Sequence, residues 1–257
     1  MIGGTDGRMS GHDIDLAVRI PSSGRWPDDV ALWRVDMRDA AACEDTIYLN
    51  LDGAERVRAD RFVRREDSRR FIATRSTLRK LLGTRIGVPP NELVFVATER
   101  GRLELPDHSL LSFNVSHSGD AALLAISDRR VVGVDLELLD PSLNWRGIAA
   151  LVCTGDEQRV LQAAPEQMQS ELFIRYWVAK EAILKAMGIG IAEELLNLMV
   201  DPTAQGAQQP VVRNTSALVT ARTLRFHWLS DVDEHPACIA YGPARADLTV
   251  DVLSRNG

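Results

Sequence analysis

Three short segments carry residue types at spacings that could do chemistry. In Val131–Glu137, V-V-G-V-D-L-E, a strand would turn Gly133, Asp135 and Glu137 to one face and Val132, Val134 and Leu136 to the other. Carboxylates two residues apart stand roughly 6.5 to 7 Å apart at their Cα atoms, close enough to converge on one hard cation such as Mg2+. Two solvated acids at a strand end are the alternative. In Trp177–Lys185, W-V-A-K-E-A-I-L-K, Phe173, Trp177, Leu184 and Met187 form a helical apolar stripe that ends before Gly188. Glu181 and Lys185, four apart, make either an ordinary surface ion pair or a functional set. In the functional set Glu181 reaches a metal or a reacting hydroxyl, while Lys185 and Lys180 meet phosphate. The third segment, F-N-V-S-H-S-G at 113–119, gathers hydroxyls, an amide and the His117 imidazole, which turn-forming residues would also explain. No G-x-S-x-G elbow accompanies His117, and the five histidines lack H-E-x-x-H spacing, so neither a serine hydrolase nor a zinc site is supported.

Elements must hold these segments. Residues 54–82 read as one helix stopping near Gly83, with Arg58, Arg61, Arg65 and Arg69 along one side. Strand patterns occupy 30–35, 93–97, 121–126 and 131–137, the last two joined as a hairpin by Ser127-Asp128-Arg129-Arg130. Helical patterns follow at 156–163 and 172–187, then strand patterns at 217–221, 224–229 and 237–241, with 201–210 as a surface loop. Each half mixes helix and sheet. The expectation is an α+β fold of two comparable subdomains, 29–128 and 129–243, meeting at a cleft, with loose tails at 1–28 and 244–257.

Composition narrows the classes. The 257 residues, 45% hydrophobic, suffice for a substantial core. Cys43, Cys153 and Cys238 are odd in number and widely spaced, which indicates no disulfide framework and fits a reducing compartment. Neither a membrane span nor a signal peptide is evident, so a cytoplasmic protein is expected. A net charge of −6 argues against nucleic-acid binding, yet residues 51–80 hold ten Lys or Arg against five Asp or Glu. Such a basic island is either a solvated helix face or an attractor for a phosphate-rich molecule or an acidic partner.

Together, N-V-S-H-S at 114–118, G-V-D-L-E at 133–137 and W-V-A-K-E-A-I-L-K at 177–185 resemble, in order and spacing, the surfactin-synthetase-activating type of 4′-phosphopantetheinyl transferase. The resemblance runs from about Asn50 to Met187 and more diffusely to Tyr241. It implies a monomer of two similar α+β subdomains in pseudo-two-fold arrangement, with the active site between them. The reaction implied moves the phosphopantetheine arm of coenzyme A to a serine of an acyl or peptidyl carrier protein, in fatty acid, polyketide or non-ribosomal peptide biosynthesis. By the same resemblance Asp135, Glu137 and Glu181 would bind Mg2+, Glu181 would also serve as general base, and Lys185 would contact the pyrophosphate. Ser116 and His117 would contact phosphates, Arg58 and Arg70 would lie near the 3′-phosphoadenosine, and Lys180 and Trp177 match motif positions. Where many relatives have Gly-Lys-Pro, this chain has Gly101-Arg102-Leu103, so Arg102 keeps the charge but not the ammonium's shape. Two rivals use the same residues: a Mg2+-dependent phosphohydrolase or nucleotidyl transferase, and a non-catalytic relative that only binds carrier proteins or coenzyme A.

Overall fold

The computed structural model describes residues 16–189, 194–213 and 216–245. The first half begins with strands β1 (Ala17–Ile20) and β2 (Ala31–Asp36), followed by helices α1 (Glu44–Tyr48), α2 (Gly53–Asp60) and α3 (Arg65–Ile86). Two short strands, β3 (Val96–Ala97) and β4 (Leu103–Glu104), lead to β5 (Ser112–Ser118) and β6 (Ala121–Ser127). The second half runs β7 (Val132–Leu136), α4 (Trp145–Val152), α5 (Gly155–Ala163), α6 (Glu166–Met187), β8 (Leu198–Met199), β9 (Val211–Val212), β10 (Arg225–Leu229) and β11 (Ala237–Tyr241). Both α3 and α6 are 22 residues long and both end at a glycine in the left-handed region, Gly87 and Gly188. The mixture is α+β, as expected.

An antiparallel sheet in the order β1-β2-β6-β5 belongs to the first half, and one in the order β10-β11-β7 to the second. The apolar residues divide by face. Val35, Ala122, Leu124 and Ile126 pack against Ile72, Leu78 and Leu82 of α3, whereas Leu32, Leu123 and Ala125 pack against Val132, Val134, Leu136 and Ile239 of the other sheet. The far face of that sheet, with Phe226, Cys238 and Ala240, receives α6 through Phe173, Ala179 and Ile183. The layers therefore run helix, sheet, sheet, helix, each contributing one apolar face to a core.

Several expectations are corrected. Residues 54–82 form two helices, because Arg64 takes an extended conformation (φ −97°, ψ 127°) between them, and the second runs past Gly83 to Ile86. Arg58 and Arg61 thus lie apart from any stripe on α3. Asp52 caps α2 through a reciprocal bond with Glu55, and Glu55 is held in turn by Arg75 and by fully buried Arg79, which pins α2 onto α3. The turn at 127–130 is no hairpin: β6 pairs with β2 and β5, β7 pairs with β11, and the chain changes sheets there. Ser127 Oγ accepts from the Arg129 and Arg130 amides to shape that crossing. Only Val96–Ala97 of 93–97 is strand, and 216–223 is 3-10 helix, Leu218 and Ala221 facing the core.

The expected tails are corrected where they are described. Trp26 is buried between the sheets, β1 pairs with β2, and Arg25 forms a bidentate pair with Asp231. Ala244 is buried, and the Arg245 amide donates to the Arg129 carbonyl. The remainder of those two expectations, 1–15 and 246–257, lies outside the described residues.

Candidate active site

Strand β7 and helix α6 build the centre of the site, and Gly133 is why they can. A Cβ at Gly133 would stand 2.1 Å from the Ala182 carbonyl oxygen and 2.4 Å from the Ala186 amide nitrogen, so only glycine lets the two backbones approach this closely. Gly133 shares a strand face with Asp135 and Glu137, and its neighbour across that face is the helix that carries Glu181 and Lys185.

That approach brings charged groups together. Lys185 Nζ lies 2.5 Å from Asp135 Oδ1, 3.4 Å from Glu181 Oε2 and 3.1 Å from Ser116 Oγ, while Ser116 Oγ donates to Asp135 Oδ1 at 2.6 Å. Glu137 accepts from Ser118 Oγ at 2.8 Å. Asp135 is 1% exposed and Glu181 7%. Burial raises the Asp135 carboxyl above its ordinary range against the pull of Lys185. Glu181 is pushed up to about 7, by burial first and the neighbouring Asp135 charge second. Burial works against the Lys185 ammonium, but Asp135 and Glu181 outweigh it and hold the ammonium above its usual range.

Can this cluster take a divalent cation? Among the described residues no three acidic, histidine or cysteine side chains are already gathered as a metal cluster, so the expected convergence of Asp135, Glu137 and Glu181 is not preformed. The chemistry of the set nonetheless fits: Asp135 and Glu181 face one ammonium, the Glu137 charge acts on both of them, and Asp135 Oδ2 is buried without a hydrogen-bond partner.

A cleft of about 880 Å³ opens beside this centre, lined by Arg58, Arg70, Phe71, Arg75, Asn114 and His117 among others. The Arg58 guanidinium lies over the Phe71 ring at 4.9 Å, and Arg70 reaches Asp67 and Asp120 at 3.3 and 3.5 Å while its Nε stays buried and unpartnered. His117 is lowered by partial enclosure first, then by the Lys185 and Arg70 charges, which favours the neutral imidazole. Ser116 and His117, expected to act together, point to opposite faces of β5: Ser116 to the carboxylates and His117 into the cleft.

Two further expectations are corrected. Lys180 does not meet phosphate: it is 0% exposed and donates to the Val152 and Leu195 carbonyls and to Glu157 Oε2. Its position on the apolar side of α6 sends it into the core, where it ties α4, α5 and the 195–197 turn together. Arg102 lines the cleft, but its guanidinium donates to the Lys185 and Ala186 carbonyls and to Ser112 Oγ, completing the C-terminal end of α6. Trp177 lines a separate apolar cavity of about 290 Å³ with Leu138, Leu143 and Phe173, next to Glu137.

Sequence reasoning missed how β5 meets β7. Along one face of β5, Ser112 Oγ accepts from the Val132 amide at 3.1 Å, Asn114 Oδ1 from Val134 at 2.9 Å and Ser118 Oγ from Leu138 at 3.0 Å. The signal is present as the alternation Ser112-x-Asn114-x-Ser116-x-Ser118, but polar residues of these types fit a turn as readily as the strand they form.

Comparison with known proteins supplies the family. A protein of Nostoc sp., 4′-phosphopantetheinyl transferase HetI, is 37% identical over 180 residues, covering 68% of this chain and 76% of that protein. The chain belongs to the 4′-phosphopantetheinyl transferase superfamily. The model of that superfamily matches residues 131–241, and a model described as 4′-phosphopantetheinyl transferase, N-terminal, matches residues 43–129. The mouse L-aminoadipate-semialdehyde dehydrogenase-phosphopantetheinyl transferase is 26% identical over 230 residues, 83% of this chain and 70% of that protein. Escherichia coli AcpT is 36% identical over 119 residues, 46% and 57% respectively. As a member of this transferase family the chain is an enzyme that takes coenzyme A as substrate and modifies a carrier protein.

Proposed function

We propose that this transferase binds coenzyme A with its phosphates in the basic cleft and its pyrophosphate at Lys185, and moves phosphopantetheine to a serine of an acyl or peptidyl carrier protein. The observation that carries this assignment of residues is the meeting of Asp135, Glu181, Ser116 and Lys185 beside a cleft lined by arginines, near enough for the Lys185 charge to act on His117 in that cleft. Asp135, Glu137 and Glu181 would hold Mg2+, which when bound neutralises pyrophosphate charge. Lys185 supplies fixed positive charge to the phosphate oxygens. Glu181, whose carboxyl is pushed up to about 7 in the metal-free protein, is placed to accept the serine proton near neutral pH. As the serine Oγ–phosphorus bond forms, the bond from phosphorus to the bridging oxygen breaks, and 3′,5′-bisphosphoadenosine leaves with the electron pair. Arg58 and Arg70, beside Phe71 and neutral His117, suit the nucleotide end. A monomer working in the cytoplasm is part of the same proposal.

The test is intact-protein mass spectrometry of several apo carrier proteins incubated with this chain, coenzyme A and Mg2+. The expected result is a gain of one phosphopantetheine that an Asp135→Ala variant fails to give. Binding of coenzyme A with no gain on any carrier would favour the non-catalytic reading, and release of phosphate or nucleotide without a carrier would favour the hydrolase.

A further inference from the structure

The seam between the two sheets is made by side chains. Strand β7 lies at the edge of its sheet: its odd-numbered side pairs with β11, as when the Glu137 amide donates to the Pro236 carbonyl, and its even-numbered amides face β5. β5 is likewise an edge strand. Two such edges would ordinarily join by a backbone ladder. Here Ser112, Asn114 and Ser118 stand in for it, each presenting a side-chain oxygen to a β7 or neighbouring amide, and Ser116 and Ser118 donate onward to Asp135 and Glu137. The period of two along β5 thus matches the period of two along β7.

We infer that Asn114 is a positioning residue that fixes the height of Asp135 and Glu137 against helix α6, by holding the Val134 amide between them and the strand's start. The inference rests on the proposed role of these acids. Asn114 occupies the middle of the seam, and it alone of the three spans the gap with an amide side chain, one atom longer than serine's. Without its oxygen the Val134 amide, in a buried strand, has no acceptor on that side, and the stretch between Ser112 and Ser116 loses its central tie. Groups that orient a ligating carboxylate commonly change metal affinity about 10- to 100-fold when removed.

The experiment compares wild type, Asn114→Ala, which removes the acceptor, and Asn114→Asp, which keeps an oxygen in place. Amide hydrogen exchange by NMR should show Val134 exchanging about tenfold faster or more in Asn114→Ala, with Glu137, bonded on the opposite side, unchanged. Mn2+ binding, read by electron paramagnetic resonance, should weaken by about tenfold or more, and Asn114→Asp should restore both readings. Should Asn114→Ala fail to fold, Asn114→Ser, whose oxygen stands one atom short of the Val134 amide, carries the same test at that amide. Unchanged exchange at the targeted amide, or faster exchange with unaltered Mn2+ affinity, overturns the inference. Failure of wild type to load any carrier protein would instead overturn the functional reading, while the exchange measurement would still report on the seam.

Discussion

At Glu181 one carboxyl serves stability and reaction in opposite senses. Its value near 7 in the folded chain lies above the ordinary glutamate range, so the folded state holds the proton more tightly than the unfolded one. The stability this contributes is complete below the unfolded value and is lost as pH rises through about 7. Thermal melts of metal-free protein between pH 5.5 and 8 should therefore fall more steeply for wild type than for Glu181→Gln. Turnover runs the other way, since a base must be ionised: a cation held beside Glu181 favours its carboxylate, so activity should persist to lower pH than the metal-free value and fall only as Glu181 takes up a proton there, and Glu181→Gln should lower kcat by about 10²- to 10⁴-fold. A variant with wild-type kcat would remove Glu181 from the reaction. Lys180 lies one residue away, with the opposite fate. Lys180→Met strands Glu157 in the core and should cost about 3 to 5 kcal/mol in denaturant unfolding, because the partner carboxylate is left buried and unpaired. In folded variant protein, coenzyme A affinity should be little changed.

Between elements, the close approach of β7 and α6 is the feature most exposed to a single methyl group. Gly133→Ala would press on the Ala182 and Ala186 backbone, push α6 outward and separate Lys185 from Asp135. The expected outcome is a loss of about 1 to 3 kcal/mol or more in stability, with activity falling further than the unfolded fraction explains. Equal activity per folded molecule would show that the helix has room to spare. This contact also marks what was legible in the sequence. The strand, the helix, the alternation that places Asp135 beside Glu137 and the four-residue step from Glu181 to Lys185 could be read because they are local periodicities. The neighbour of Gly133, the core destination of Lys180 and the helix-end role of Arg102 could not, because each is set by a partner far along the chain: Ala182, Leu195 and Lys185. The supposed hairpin failed for a related reason. Two adjacent strand patterns with a polar turn look alike whether they pair with each other or part into different sheets.

For the molecule as a whole, the cleft collects charge that the linear chain disperses. Arg58 comes from α2, Arg70 and Arg75 from α3 and His117 from β5, in a protein whose net charge is −6. The break at 61–64 separates Arg58 from the arginines that follow, yet packing of α2 on α3 returns it to Phe71 and the same opening. Arg58→Glu or Arg70→Glu should raise the KM for coenzyme A by about tenfold or more while lowering kcat less, because these groups would hold the nucleotide end rather than the reacting phosphorus. If steady-state kinetics show only a weaker carrier protein, the arginines belong to the docking surface. The pairing of Arg25 with Asp231, and of β1 with β2 above the inter-sheet core, has a consequence for synthesis. Arg25 waits for a partner 206 residues downstream, and Trp26 for a bed completed by β11. The layer between the sheets therefore cannot close until β11 has been made and has left the ribosome, so the first strands wait without their cover while the segments between them and β11 are synthesised, and closure of that layer should be a late, slow step of folding.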